Sequence, residues 1–540
     1  MVVAQGAARA PAPCAVRVPL GSGCIGRSAP GLARRAALRR APRPPAADPS
    51  EGAPAGDDRV DVNRQLTEHT RENLQKMADD LVSEAPASFK VERILDCPDI
   101  RSMLEPRPSP FMKHDNYGSG FVHDSDLVAM QAIRLGSGSS TPTRARRPRG
   151  PNPSPETDDD SVGLWARRAG ARETIFWDPP KVKAAIVTCG GLCPGLNDVV
   201  YGLVNKLESY GVPSENILGI RYGFSGFYDQ KFKPIPLSTR MLDGIHLQGG
   251  TILGTSRGKG DMAEIIKRID MWGINQLYVV GGNGGNAGAH AIDQALREKD
   301  IPCCVVGLPK SIDNDILLID KTFGFDTAVE EAQRSLLAAK TEAVSAYRGL
   351  GLVKVMGRQS GFVAMQASLA SGVADLCLIP EVPFRLDGPG GVIEHIEHVL
   401  SQKGHCVVCV AEGAGQEVVP STPGKDERDA SGNIKLKDIG KFLKSEFRKK
   451  IKDVDIKYID PTYMIRAIPT NSNDRIYCKI LAHNAVHAAM AGYTDVTVGL
   501  INTHYAFINI PALISSARTV DPRGKMWNRL RHSIGQPSFT

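Results

Sequence analysis

Short apolar runs alternate with amphipathic stretches through the second two-thirds of the chain. AAIVTCGG is followed by NDVVYGLVNKLESYG, and INQLYVVGG by NAGAHAIDQALREKD. The runs are rich in β-formers and end in glycine, whereas the stretches after them carry apolar residues at helical spacing. Between Asp261 and Gly273, the residues Met262, Ile265, Ile266, Ile269 and Trp272 share one helical face. Strand, glycine turn and helix repeated in this order predict an α/β fold with mainly parallel sheets. No short internal repeat is present. Val496 to Ala517 lacks Asp, Glu, Lys and Arg, but Asn502, His504, Asn509 and Pro511 interrupt it. It predicts a buried strand and turn rather than a membrane span.

The pattern is different upstream. Residues 48–163 form an N-terminal extension, mixed over 48–134, with one amphipathic helix expected around Val62–Val82. Residues 135–162 are low-complexity linker, a basic patch followed by an acidic one. Order is expected from about Leu164. Of 540 residues 42% are hydrophobic and 23% charged, enough for a large buried core. The formal charge of +7 raises a nucleic-acid or membrane reading, which position removes. Residues 1–47 hold eight arginines and no acid, so the rest of the chain carries about −1. An Arg-rich, acid-free segment without a continuous apolar stretch has the composition of an organelle transit peptide. A basic arm that binds something acidic is the alternative. Neither a nucleic-acid nor a membrane partner is expected for the working protein.

The 11 cysteines show no metal-ligand grouping and fit a reducing interior. Cys406 and Cys409 have CxxC spacing, but HCVVCV predicts a buried strand, not zinc. Cys189 and Cys193 flank a glycine turn, with redox sensitivity as an open question.

In α/β sheets, ligands sit beyond the carboxyl ends of the strands, so the turns there are the ones to read. Gly190-Gly191-Leu192-Cys193-Pro194-Gly195 offers backbone N–H groups for close approach to a phosphate, without the ending of a P-loop. Gly249-Gly250-Thr251-Ile252-Leu253-Gly254-Thr255-Ser256-Arg257-Gly258 ends in an arginine suited to a phosphoryl group in transfer. Gly281-Gly282-Asn283-Gly284-Gly285-Asn286 lacks the downstream acid of a dinucleotide fold, which excludes hydride transfer. After IPCCVVG come Lys310, Ser311, Asp313 and Asp315. One carboxylate can accept a hydroxyl proton while the other helps to hold a metal–phosphate.

GGLCPGLN, GGTILGTSRG, PKSIDNDI, KTFGFDTAVEEAQ, KVMGRQSGF, AEGAG and YIDPTYMIRA occur in this order. They resemble the ATP-dependent, plant-type branch of the 6-phosphofructokinases, nearly continuously from Leu164 onward. NAD kinases share a similar glycine turn but lack the PKSIDND, MGR and YMIR elements. The resemblance implies two three-layer α/β lobes with the site in the cleft between them. It places a nucleotide lobe mainly at 180–325, a sugar-phosphate lobe mainly at 326–465, and a C-terminal segment returning to both, within a catalytic region 164–540. It implies ATP plus fructose 6-phosphate giving fructose 1,6-bisphosphate, with Mg²⁺.

By the same resemblance, Asp313 is the general base for the sugar 1-hydroxyl, and Arg257 and Arg358 meet the phosphoryl group. Gly191, Arg257, Gly258 and the turn Gly282, Asn283, Gly284, Gly285 cradle the nucleotide. Ser311, Ile312, Asp313, Met356, Gly357, Arg358 and Glu412 contact the sugar, and Tyr463 and Arg466 form the 6-phosphate pocket. Lys457 stands where the family often places a basic residue reaching in from a neighbouring subunit. That implies a homo-oligomer, dimer or tetramer, or a hetero-oligomer with an active paralogue. Gly284 leaves open the space that an aspartate fills in pyrophosphate users, so ATP is expected, although Lys310 is common to both. The localisation implied is the plastid, with the mitochondrion as alternative, or the cytoplasm if the N-terminus is not a targeting segment.

The family turn is GGDGT, and here it reads GGNGG. Asn283 replaces the aspartate that helps to hold Mg²⁺, leaving Asp315 as the anionic metal partner. Gly285 replaces a hydroxyl residue and Ala287 a longer polar one, while Tyr201 replaces a basic residue of the bacterial effector site. Beside the active ATP enzyme, two alternatives stay open: a catalytically weakened regulatory subunit that binds sugar phosphate, and a pyrophosphate-dependent enzyme.

Overall fold

Which strands are apolar on both faces explains why the described residues build two main sheets, beside a small two-stranded one. The computed structural model describes residues 93–113, 120–130, 164–256, 260–420 and 435–539. Its first strands are β1 (Arg93–Ile94), β2 (Arg107–Pro108), β3 (Leu127–Ala129), β4 (Leu164–Arg168) and β5 (Thr174–Ile175). There follow β6 (Ala184–Thr188), α1 (Leu196–Tyr210), β7 (Ile217–Ile220), β8 (Ile235–Pro236), α2 (Met262–Trp272), β9 (Gln276–Gly281), α3 (Asn283–Arg297) and β10 (Cys304–Pro309). The middle holds α4 (Phe325–Val344), β11 (Gly349–Val355), α5 (Phe362–Ser371), β12 (Leu376–Leu378), α6 (Val392–Lys403), β13 (His405–Ala411), α7 (Ile439–Lys450), β14 (Asp455–Ile459) and α8 (Thr462–Ala467). The chain ends with α9 (Ser472–Met490), β15 (Val496–Ile501), β16 (His504–Asn509), α10 (Ile510–Leu513) and α11 (Lys525–Ile534).

The larger sheet runs β1-β4-β16-β15-β10-β9-β6-β7-β8, with β3 also paired to β4. Its centre, β15-β10-β9-β6-β7, is parallel, and antiparallel strands lie toward its margins. The smaller sheet, β12-β13-β11-β14, is parallel throughout. Alternate residues of each central strand point to opposite faces, and both faces are covered. Ile186, Tyr278, Val280 and Val306 pack on the α1 and α9 side, whereas Val187, Leu277, Val279 and Val305 pack with Ile265, Ile266 and Ile292 of α2 and α3. In the smaller sheet Val353, Val355, Val407 and Cys409 meet α4, α5 and α11, and Leu350, Leu352, Val408 and Val410 meet α6 and α7. Each sheet is therefore the middle of three layers, as expected.

Helix α2 follows its periodicity closely. The Asp261 carboxylate accepts the Glu264 N–H at 3.2 Å, and Gly273 closes the helix at φ +65°. The CxxC cysteines are buried in β13, consistent with a strand. The segment expected as strand and turn from Val496 is an antiparallel pair, β15 and β16, leading into α10. The expectation that order begins near Leu164 is corrected, because β1 and β3 from the upstream segment pair with β4. Residues 1–47, the helix expected at Val62–Val82 and the linker 135–162 lie outside the described residues. Among the described residues no helix is long and apolar enough to cross a membrane.

Candidate active site

The turns after β6, β9, β10, β11 and β13 open onto one cleft of about 1280 Å³. That exceeds the roughly 300–1,000 Å³ of a site for one drug-sized ligand and leaves room for two.

The first wall is built from glycine turns. Gly190 has φ +90°, and its N–H donates to the Ser256 carbonyl at 3.1 Å while Thr255 Oγ1 donates back to the Gly190 carbonyl at 2.7 Å. Lys310 Nζ donates to the Gly191 carbonyl at 3.1 Å, tying this turn to the one after β10. Gly282 is the N-cap of α3, and the first intrahelical bond runs from the Asn286 N–H to the Gly282 carbonyl at 2.9 Å. The N–H groups of Asn283, Gly284 and Gly285 thus have no partner within the helix, which suits an anion. A side chain at Gly284 would meet nothing within 4 Å, so the space beside it is open. A Cβ on Gly285 would sit 3.7 Å from that of Cys189, ordinary contact, so the family hydroxyl residue would fit there. Buried Asn286 braces the turn by donating to the carbonyls of Gly281 and Gly282 at 2.9 and 3.0 Å, a role that its sequence position did not announce.

The floor is the turn Ser311–Asp315. Asn314 takes the left-handed φ of +57°, which asparagine tolerates, and its side-chain oxygen accepts the Thr322 N–H at 3.0 Å. Ser311 Oγ accepts the Asp313 N–H at 3.2 Å and donates to the Asp315 carboxylate. This folding points Asp313 and Asp315 into the cleft, and Ile312 packs between the apolar clusters of the two sheets. The Asp313 carboxylate accepts the backbone N–H of Arg358, and its Oδ1 is sealed from solvent with no partner. Burial, and then the negative charges of Asp315 and Glu412, push its pKa up to about 7.

The opposite wall comes from the smaller sheet. Met356 is buried below Arg358, and the Glu412 N–H donates to the Val355 carbonyl at 2.9 Å. Burial raises the Glu412 carboxyl, opposed by the cations Arg358, Lys354 and Arg466. Arg466 Nε donates to the Leu192 carbonyl at 3.3 Å, bridging from α8 to the first glycine turn, and its guanidinium lies 5.9 Å from the Tyr463 ring. Gly357 has φ +135°, and a Cβ there would lie 2.5 Å from the Ser360 carbonyl oxygen. Gly357→Ala is therefore expected to lower stability by about 2 kcal/mol and to displace Arg358, read by a denaturant midpoint together with kcat.

Of the residues picked out in the sequence, Gly191, Gly282, Asn283, Gly284, Gly285, Lys310, Ser311, Asp313, Asp315, Met356, Arg358, Glu412, Tyr463 and Arg466 line this cleft, and Ile312 lies at its floor. Arg257 and Gly258 lie outside the described residues, although Ser256 before them is on the cleft wall. Lys457 is on edge strand β14, away from the cleft lining, with Nζ 3.1 Å from Asp455. The Tyr201 ring packs at a tilt against His246, with centroids 4.9 Å apart, outside the cleft. Cys189 and Cys193 are buried thiols whose pKa values burial pushes up to about 12, so neither has the thiolate character of a reactive cysteine.

Four charged cleft residues, Lys354, Asp438, Lys441 and Asp460, carried no signal that the sequence analysis used. Lys354 Nζ lies 2.8 Å from Asp460 and 3.3 Å from Asp438, which also holds Lys441 at 3.2 Å. Burial alone would lower the Lys354 pKa, but the bond to Asp460 together with the electrostatic attraction of Tyr458, Asp460 and Asp438 outweighs it and the ammonium is stabilised. The available signal was a lone lysine in the otherwise apolar strand GLGLVKV.

Among the described residues no cluster of three or more His, Cys, Asp or Glu could hold a metal ion unaided. Asn283 Oδ1 is nonetheless buried with no hydrogen-bond partner, and Asn283 Nδ2 reaches the Asp315 carbonyl at 3.4 Å. One orphaned amide oxygen and one carboxylate fit an ion completed by phosphates and water.

The phosphofructokinase family model matches residues 183–489. An Arabidopsis thaliana protein named ATP-dependent 6-phosphofructokinase 5, chloroplastic, is 50% identical over 79% of this chain and 77% of its own length. The Borreliella burgdorferi protein named ATP-dependent 6-phosphofructokinase is 42% identical over 68% of this chain and 85% of its own. Among solved structures, the pyrophosphate-dependent phosphofructokinase of Marinobacter aquaeolei superposes with a TM-score of 0.56 at 17% identity, covering 66% of this chain and 91% of that one. At that identity the likeness speaks for the fold alone. The sequence relatives carry the assignment further: the chain belongs to the phosphofructokinase family.

Proposed function

We propose that this chain transfers the γ-phosphoryl group of ATP to the 1-hydroxyl of fructose 6-phosphate, giving ADP and fructose 1,6-bisphosphate. The observation that carries it is Asp313, a carboxylate at the cleft floor with an unpartnered oxygen and glycine turns on one side of it and Arg358, Glu412 and Arg466 on the other. In this reading the sugar oxygen bonds to the γ-phosphorus, the bond to the bridging oxygen of ADP breaks, and the hydroxyl proton passes to Asp313. Arg466 and Tyr463 hold the 6-phosphate, Glu412 and Met356 the sugar, and the α3 N-terminus the nucleotide phosphates. Arg358, with Arg257, meets the charge of the group in transfer; positioning and charge neutralisation supply most of the rate. Asn283 and Asp315 are the residues that would hold Mg²⁺, which would neutralise charge on the nucleotide phosphates.

The test is turnover of fructose 6-phosphate with Mg²⁺ and either ATP or pyrophosphate. Use of pyrophosphate alone would reassign the donor. Retained sugar-phosphate binding without turnover on either donor would remove the enzyme reading.

The turn Asn283–Gly285 favours a second reading, a weakened subunit, because an amide oxygen is a neutral substitute for the carboxylate that a hard cation prefers. In that case Asn283→Asp raises kcat/KM for ATP and tightens the Mg²⁺ requirement by about tenfold or more. Equal rates for the two proteins, measured across a Mg²⁺ titration, dismiss it. We also assign residues 1–47 to plastid targeting, supported by the Arg-rich composition and by relatives named chloroplastic. A fluorescent fusion of that segment should enter plastids. Lys457 serves the cleft of a neighbouring copy, so the active species is an oligomer; its sedimentation coefficient tests this.

A further inference from the structure

The C-terminal segment between α10 and α11 crosses behind the cleft floor, and its contacts converge on the two turns that carry the chemistry. Ala517 forms an antiparallel bridge with Ile316, and the Arg518 N–H donates to the Asp315 carbonyl at 2.9 Å. The Arg518 guanidinium then turns inward. Its Nη1 donates to the carbonyls of Ile319 and Asp320 at 3.1 and 2.7 Å, and its Cζ lies 4.9 Å from the centre of the Phe362 ring. Two residues on, the Val520 N–H donates to Glu381 Oε1 at 2.7 Å, and the same oxygen accepts the Gly361 N–H at 2.9 Å.

One strap thus holds the Asp313–Asp315 turn with its main chain. It holds the start of α5, just after Arg358, with the Arg518 side chain and through Glu381. The two turns also touch directly: Ser360 Oγ donates to the Asp313 carbonyl at 3.0 Å, and the Arg358 N–H donates to the Asp313 carboxylate. A catalytic base and a phosphoryl-binding cation on different sheets keep their spacing only if something spans both, because misplacement by about 1 Å costs about a hundredfold in rate.

We propose that Arg518 is a positioning residue for the transfer reaction, with Glu381 as its auxiliary, keeping Asp313 and Arg358 in register through the C-terminal strap. The guanidinium suits the task because one terminal nitrogen of its planar fork serves both carbonyls while its charge lies over an aromatic ring. This assignment rests on the phosphoryl-transfer reading above, and its test separates the two.

Arg518→Ala, Arg518→Lys, Phe362→Leu and Glu381→Ala are compared with the parent full-length chain in three measurements. These are steady-state kinetics, thermal unfolding, and hydrogen exchange of the amides in 309–317 and 356–363. For Arg518→Ala the expected result is a kcat lower by about tenfold to a hundredfold with both KM values within about twofold, since a loosened register harms the transition state more than ground-state binding. Lysine, without the fork, recovers part of the loss. Exchange accelerates in both turns, and Phe362→Leu and Glu381→Ala move the same amides in the same direction. An unchanged kcat in Arg518→Ala, or faster exchange confined to the strap, overturns the proposal. If Arg518→Ala does not fold, the Phe362→Leu and Glu381→Ala measurements decide it by the same criteria. If the parent chain turns over neither ATP nor pyrophosphate, the phosphoryl-transfer reading fails. The exchange data still decide whether Arg518 couples the turns.

Discussion

Asp313→Asn should cut kcat by about 10²–10⁴-fold while the protein becomes harder to unfold at neutral pH. The rate loss follows from removing the base that takes the hydroxyl proton. The gain in stability follows from the elevated pKa of the same group. The Asp313 carboxyl is pushed from its ordinary 3.8 up to about 7 in the folded chain, so between those values the folded state binds more protons than the unfolded state. Stability contributed by this group therefore falls as pH rises through that window, and above it the folded protein carries a penalty on the order of 4 kcal/mol. Asparagine removes the penalty. Its melting temperature should exceed the parent's by a few degrees at pH 8, and the difference should vanish near pH 4. In the parent chain, kcat/KM for fructose 6-phosphate should drop about tenfold per pH unit below about 7, as the base of the free enzyme becomes protonated. Wild-type turnover by the asparagine variant would remove Asp313 from the mechanism.

Arg358→Ala should cost about 10³-fold in kcat, with lysine restoring little, because a guanidinium offers paired donors to phosphoryl oxygens and an ammonium does not. A second consequence reaches Glu412. Arg358 is the strongest of the charges that oppose the effect of burial on the Glu412 carboxyl, so its loss lets that carboxyl rise further. The Glu412 carboxyl of the variant should take up its proton at a higher pH than that of the parent chain, read by the pH dependence of fructose 6-phosphate binding. A variant with altered KM for fructose 6-phosphate but unchanged kcat would make Arg358 a ground-state binding residue instead.

The legible parts of this molecule were those in which one local stretch carries both the fold signal and the chemistry. Gly190–Gly195 and Ser311–Asp315 each follow an apolar strand, so reading past its end was enough to find the phosphate turns and the base. The turn Gly282–Gly285 was legible as glycine-rich but not as the first turn of α3, because glycines give no propensity signal for a helix start. Lys354, Asp438, Lys441 and Asp460 meet in space from three separate segments, and no local pattern joins them. The strap at Ala517–Val520 was silent for a related reason. Its contacts join main-chain groups of the strap and the Arg518 side chain to Phe362 and Glu381, which lie far away in the sequence, so no local pattern connects them.

The pairing of β3 with β4 bears on how this protein is prepared for study. Trp165, Ala166 and Arg167 of β4 are covered on one side by Ala129, Val128 and Leu127. Asp124, just ahead, is gripped by Arg101 at 2.6 Å, Arg172 at 2.8 Å and the Tyr493 hydroxyl at 2.7 Å. A shortened recombinant version starting at Leu164 would bare that strand's unpaired N–H and C=O groups and leave Arg172 without its Asp124 partner, inviting edge-to-edge association. Starting just before Arg93 keeps the seam shut, and light scattering of the two preparations should separate a soluble species from an aggregating one.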